Sequence, residues 1–276
     1  MDEAPSGPWT VDPATLTALR LEKAKEAIRG GDATTALIEA EELLNTPPIH
    51  DEALFLVAEA ALTLGDATMA KSAFQQFLLE EPEHPPALTG LSVALFETAE
   101  IAESLAASQR AAELAPDTPE AWHYIGLALE RSDRPDEAAL AFQKAHEMRP
   151  GMFPLKIDIS DEEWEQAVED GKRGLPGPIR AFYAKIPVVW ESFPTVDDLH
   201  HGPLPLSPLT DALYVGKAPE EADPWIHSPQ KVRLFRGNLG YPPVDADGLS
   251  QRITRALFHE AIDWLGIREA DIWPIS

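Results

Sequence analysis

Residues 119–152 read PEAWHYIGLALERSDRPDEAALAFQKAHEMRPGM, and this stretch repeats a layout present three times before it. Pro150 follows Pro116, Pro82 and Pro48 at steps of 34 residues. The step sets four windows, 17–50, 51–84, 85–118 and 119–152, after an N-terminal extension, 1–16. The eighth column reads Ala24, Ala58, Ser92 and Gly126, and the twentieth reads Ala36, Ala70, Ser104 and Ala138. Side chains this small let two helices cross closely. The twenty-fourth column reads Ala40, Phe74, Ser108 and Phe142, and the fifteenth reads Gly31, Gly65, Ala99 and Asp133, at the expected turn between helices. A fixed period of this length marks an array of stacked units, none of which buries its apolar face alone.

The layout resembles the tetratricopeptide repeat. Window 119–152 is nearest to it, with Trp122, Gly126, Ala138, Phe142, Ala145 and Pro150 in place. The resemblance implies an α-solenoid of four helical hairpins whose first helices line a concave groove. Carried over position by position, that groove holds Phe55, Glu59 and Leu62, then Val93, Phe96 and Glu97, then His123 and Leu127. The implied partner is a protein or peptide, its segment apolar or basic. The ring of Lys and Asn with which some members grip a C-terminal carboxylate is missing. A second use of the same residues stays open, in which Phe55 and Phe96 pack against the chain's own second half.

The period stops at Pro150. Residues 151–160, GMFPLKIDIS, are too apolar for a flexible linker and are expected to dock. Ser160 and Glu163 form a capping box that opens a helix through about Lys172. That helix is expected to pack on the second helix of the fourth window and cover the array's end. LPGPIRAFYAKI, 175–186, predicts a second short helix, and 187–193, 212–216 and 231–237 predict strands. A longer helix is expected over about 247–265, with Gly266 as its stop. Helices and short strands in this order predict a small α+β domain over 153–276.

The last helix carries the candidate chemistry. At 100° per residue, Leu249, Ile253, Leu257, Ala261 and Trp264 form an apolar side. Arg252, Arg255, His259 and Asp263 form a narrow polar stripe, with His259 and Asp263 at i and i+4. Glu260 lies beside the stripe among apolar neighbours, where lost solvation raises a carboxyl pKa and suits a general base.

Residues 158–272 resemble the minimal zincin metallopeptidase-like family in element order and in this helix. That family closes with His-Glu-x-x-His-x-x-Gly-x-x-Asp; here His259, Glu260, Asp263, Gly266 and Glu269 stand at the corresponding positions. The resemblance implies that His259, Asp263 and Glu269 hold a divalent metal and that Glu260 is the catalytic base. Asp263 replaces the second histidine, and Glu269 the final Asp. One imidazole with two carboxylates makes a harder donor set, open to Mn²⁺ or Mg²⁺ beside Zn²⁺. His200, His201 and His227 are further candidate ligands.

Composition bounds the rest. The 276 residues carry a net charge of −25, which argues against a nucleic-acid partner. The absence of cysteine excludes disulfides, thiolate metal sites and a cysteine nucleophile. No run is long and apolar enough to span a membrane, and MDEAPSGPWT is not a secretory signal, so a cytoplasmic protein is expected. Two functions follow. One is a metallopeptidase-like protein whose array recruits a polypeptide that the second half hydrolyses with a bound metal. The other is an inactive zincin fold without a cofactor, serving as an interaction scaffold.

Overall fold

The computed structural model describes residues 12–45, 51–200, 205–217, 223–241, 248–268 and 272. Its contacts divide into two units, Met1–Ala128 and Leu129–Ser276. Among the described residues no helix is long and apolar enough to cross a membrane.

Eight helices follow one another in pairs: α1 (Pro13–Gly30), α2 (Ala33–Leu44), α3 (Asp51–Thr63), α4 (Ala67–Glu80), α5 (Pro85–Glu97), α6 (Ile101–Leu114), α7 (Pro119–Arg131) and α8 (Pro135–Met148). Side chains satisfy exposed N–H groups at several starts. Asp32 accepts from the Thr35 N–H, Asp66 from Met69, and the His84 ring from Ala87. The fifteenth column places the turn within every hairpin. Gly31, Gly65, Ala99 and Asp133 all adopt positive φ, at 78°, 82°, 63° and 57°. The eighth and twentieth columns lie in the crossings: Ala24, Ala58, Ser92, Ala36, Ala70 and Ser104 are fully buried. Within the α5–α6 hairpin the Ser104 hydroxyl donates to the Ser92 carbonyl at 2.7 Å, closing the crossing with a polar bond.

The second unit begins inside α7. After α8 it builds α9 (Asp161–Gly174), α10 (Gly177–Tyr183), β1 (Val188–Glu191), α11 (Val196–Leu199), β2 (Ala212–Val215), β3 (Lys231–Phe235), α12 (Arg236–Leu239) and α13 (Leu249–Leu265). The sheet has the order β1-β3-β2, with β1 parallel and β2 antiparallel to β3. Trp164 and Val168 of α9, Ile179 of α10, Val232 and Leu234 of β3, and Ile253, Leu257 and Trp264 of α13 share one core.

The expected strands are present but shorter. The third yields to α12 at Arg236, because the chain turns there to bring Asn238 inward. The helix after Ser160 forms with its capping box, but among the described residues its main partner is not α8. Its buried face, Trp164, Val168 and Gly171, packs on α13 instead. A Cβ on Gly171 would lie 2.7 Å from the Ile253 side chain, so glycine sets the closeness of that crossing. Other groups meet the last turn of α7 and α8. Lys156 binds Glu130 at 2.8 Å, the Tyr241 hydroxyl donates to Glu130 at 3.1 Å, and Tyr241 stacks edge-on to Phe142. Arg131 lies over the Phe193 ring at 3.8 Å and donates to Pro208 and Asn238.

Two stability predictions follow from this packing. Ala99 carries a Cβ in the left-handed region, which costs about 1 kcal/mol relative to glycine. Ala99→Gly is therefore expected to raise the unfolding free energy by up to that amount and to move the urea midpoint upwards, and an unchanged or lower midpoint contradicts the strain. Asp198 joins β3 through Arg233 at 2.6 Å. Burial would raise its pKa, but the Arg233 guanidinium and the Thr195 hydroxyl override this and hold it at about 2. Its folded pKa lies below its unfolded value, so its stabilisation, on the order of 2 kcal/mol, is complete above about pH 4 and lost towards pH 2. The stability gap between wild type and Asp198→Asn should shrink over that interval in urea titrations.

Candidate functional site

The candidate site is built on α13. Gly266, at φ 63°, ends the helix, and the Ile267 N–H returns to the Ile262 carbonyl. Three side-chain bonds to neighbouring backbone fix the helix about its axis. Thr254 donates to Gly171 at 2.9 Å, the Tyr183 hydroxyl to Leu257 at 2.7 Å, and the Trp264 indole to His227 at 2.9 Å. Arg252 adds donations to the Leu239, Tyr241 and Asn238 carbonyls.

So fixed, α13 turns Glu260 towards the sheet and leaves His259 and Asp263 exposed. Glu260 accepts the Tyr214 N–H at 2.7 Å. β2 is an edge strand of the sheet, so the carboxyl occupies a backbone donor that no neighbouring strand takes. Tyr214 in turn packs edge-on against Trp264, ring centres 4.9 Å apart. Burial raises the Glu260 pKa to about 8; the Tyr214 bond opposes this and the Asp263 charge adds to it. Beside it is a cleft of about 170 Å³, lined by Asp211, Arg252, Arg255, His259 and Glu260. Burial also raises the Asp211 pKa, against the nearby Arg252 and Arg255.

Sequence reasoning missed Asp211 and the Tyr214 N–H. Asp211 directly precedes the strand read at 212–216, so a polar residue at a strand entrance was the available signal. The strand's edge position was not available, because strand order is not written in local pattern.

Among the described residues no three His, Asp or Glu side chains come close enough to hold a metal. Glu269 and His201 lie outside the described residues. His200 and His227 are exposed, and their rings bond locally to the Val196 and Asp223 carbonyls. A zinc site needs three or four convergent donors, and His259 with Asp263 supplies two. Arg252 and Arg255 add positive charge to the cleft. The described residues therefore do not by themselves fit a zinc centre.

The proposed groove residues fall on three helices of the first unit. Phe55, Glu59 and Leu62 are half-buried on α3, which packs against both α1 and α5. Phe55 meets Phe74, Phe77 and His84, ring centres 5.3–5.9 Å apart. Val93 and Glu97 on α5 and His123 on α7 are also half-buried. Phe96 and Leu127 are buried, at 0% and 2% exposure, and offer a ligand no surface; Phe96 packs edge-on against Tyr124.

Comparison with known proteins finds family models in both parts of the sequence. Family models described as tetratricopeptide repeat match residues 52–84 and 119–152. The model described as zincin-like metallopeptidase matches residues 183–276. The comparison with curated proteins gave no match. Solved structures similar to the chain include "Crystal structure of MamA", 23% identical over 46% of this chain and 75% of that one, TM-score 0.42. Another is "MamA 41-end from Desulfovibrio magneticus RS-1", 23% identical over 49% and 77%, TM-score 0.45. The chain thus carries tetratricopeptide repeats followed by a zincin-like metallopeptidase domain.

The Glu260–Tyr214 bond is open to test. Glu260→Gln keeps an acceptor for the N–H and should leave the urea midpoint unchanged or raised. Glu260→Ala removes the acceptor and should cost about 1–2 kcal/mol. Equal stability of the two variants would show that the bond contributes nothing.

Proposed function

We propose that this protein recruits a polypeptide through its helical repeats and receives it in the cleft beside Glu260. The observation that carries the reading is the position of Glu260, half-buried on the zincin-like motif helix and bonded to the edge strand β2. The array's half-buried apolar side chains, Phe55, Leu62 and Val93, support recruitment of a protein or peptide. The proposed setting is the cytoplasm, with which an acidic, cysteine-free composition is compatible. The proposed domain limits are 17–152 for the array and 153–276 for the second domain.

Hydrolysis of the bound segment is the stronger form of the proposal. It assigns His259, Asp263 and Glu269 to a divalent metal, zinc or a harder ion, and makes Glu260 the base. It requires Glu269 to complete a donor set that the described residues leave at two. The alternative is a zincin fold that holds a polypeptide without cutting it. Arg252 and Arg255, which line the cleft with His259 and Glu260, are compatible with this alternative.

Calorimetry with zinc and manganese chlorides, followed by a casein peptidase assay, separates the two forms. The hydrolytic form expects weak zinc binding by the wild type and, for Asp263→His, binding tighter by about tenfold or more, since each 1.4 kcal/mol of added ligation is tenfold. It expects Glu260→Gln to bind metal as the wild type does and to cleave nothing. If neither the wild type nor Asp263→His binds metal, hydrolysis falls and the holding function stands.

A further inference from the structure

We infer that Glu59 is the anchor for a cationic side chain of the recruited segment, so that the segment presents Lys or Arg beside a large apolar residue. The inference rests on the recruiting function proposed above and names the chemistry of its ligand.

Glu59 sits on α3 one turn after Phe55 and just before Leu62, in the middle layer between α1 and α5. Its side chain is half-buried, and among the described residues it makes no hydrogen bond or ion pair. A carboxyl withdrawn from water without a partner is unfavourable, and a cation brought to it removes that penalty. Burial alone raises its pKa, as expected where neither cation nor donor faces the group.

Among the described residues no Lys or Arg is paired with it. All 22 of its Lys and Arg residues lie within the described segments, and none is bonded to Glu59. Lys25, on the adjacent α1, is taken by Glu52 at 2.5 Å and Glu22 at 3.7 Å. A cationic side chain of the recruited segment is the partner that fits this carboxyl. The flanking Phe55 and Leu62 offer apolar contact to the stem of a long basic side chain and to its neighbour. The anchor inverts the Lys-and-Asn grip on a C-terminal carboxylate: here the receptor is the anion.

The test selects peptides from a random nonapeptide phage library on the immobilised full chain. One selected peptide is then synthesised with its basic residue and with norleucine in its place. The wild type should enrich Lys or Arg next to Leu, Ile, Phe or Trp. Glu59→Gln should weaken the basic peptide by about tenfold, the scale of one desolvated charge pair, and leave the norleucine peptide unaffected. Glu59→Lys should shift selection towards Asp and Glu. Enriched peptides without a basic preference, or equal affinity for wild type and Glu59→Gln, overturn the anchor and leave recruitment standing. Failure of the wild-type chain to enrich any peptide overturns recruitment and the anchor together.

Discussion

Everything in the second unit depends on the rotational setting of α13. The helix is amphipathic, and burial of Ile253, Ala256, Leu257, Ala261 and Trp264 sets its apolar face towards the core. The bonds from Thr254, Trp264 and Arg252 to neighbouring carbonyls, and from Tyr183 to the helix itself, hold that setting. In that setting residue 260 faces the sheet while 259 and 263 face solvent. The cleft is a consequence: its polar wall is the edge of the stripe that this setting leaves uncovered.

The array solves a different problem by repetition. Each hairpin needs a reversal that a side chain disfavours and a crossing that a large side chain blocks. Three columns answer those needs in every window. Where the turn column departs from glycine, the backbone still takes the left-handed form, at Ala99 and Asp133. Stacking on both sides therefore dictates the turn more strongly than the local residue does. The crossing columns show similar tolerance. Ser92 and Ser104 replace alanines without loss of closeness because each finds a carbonyl within hydrogen-bond reach.

These two devices explain what could be read in the sequence. The 34-residue step, the small columns and the turn column are local and periodic, so the hairpins were legible residue by residue. The capping box at Ser160 and the stop at Gly266 were legible for the same reason. The docking of α9 was not, because its buried face could meet either α8 or α13. The Gly171 crossing decides it, and that closeness appears only once both helices are placed. Asp211 escaped notice because a cleft residue on a strand entrance has no sequence partner to flag it. Phe96 and Leu127 occupy groove columns yet are buried, since a column fixes a helix face and not what covers it.

Glu59 and Glu260 are both half-buried glutamates whose pKa values burial raises, and the fold treats them oppositely. Glu260 receives a donor from the protein itself, the Tyr214 N–H on a sheet edge. That bond ties helix to strand, so the domain has a structural reason to keep this glutamate whether or not a metal is ever bound. A retained motif glutamate is then weak testimony for catalysis here. Among the described residues Glu59 has no such partner. Its α-helical backbone is satisfied without its side chain, and alanine in its place would form the same helix. A carboxyl that the fold does not use, held partly out of water on the middle helix of the array's first layer, is the stronger mark of a ligand. The charge chemistry of this chain thus points first to the array, and to the zincin-like cleft only after it.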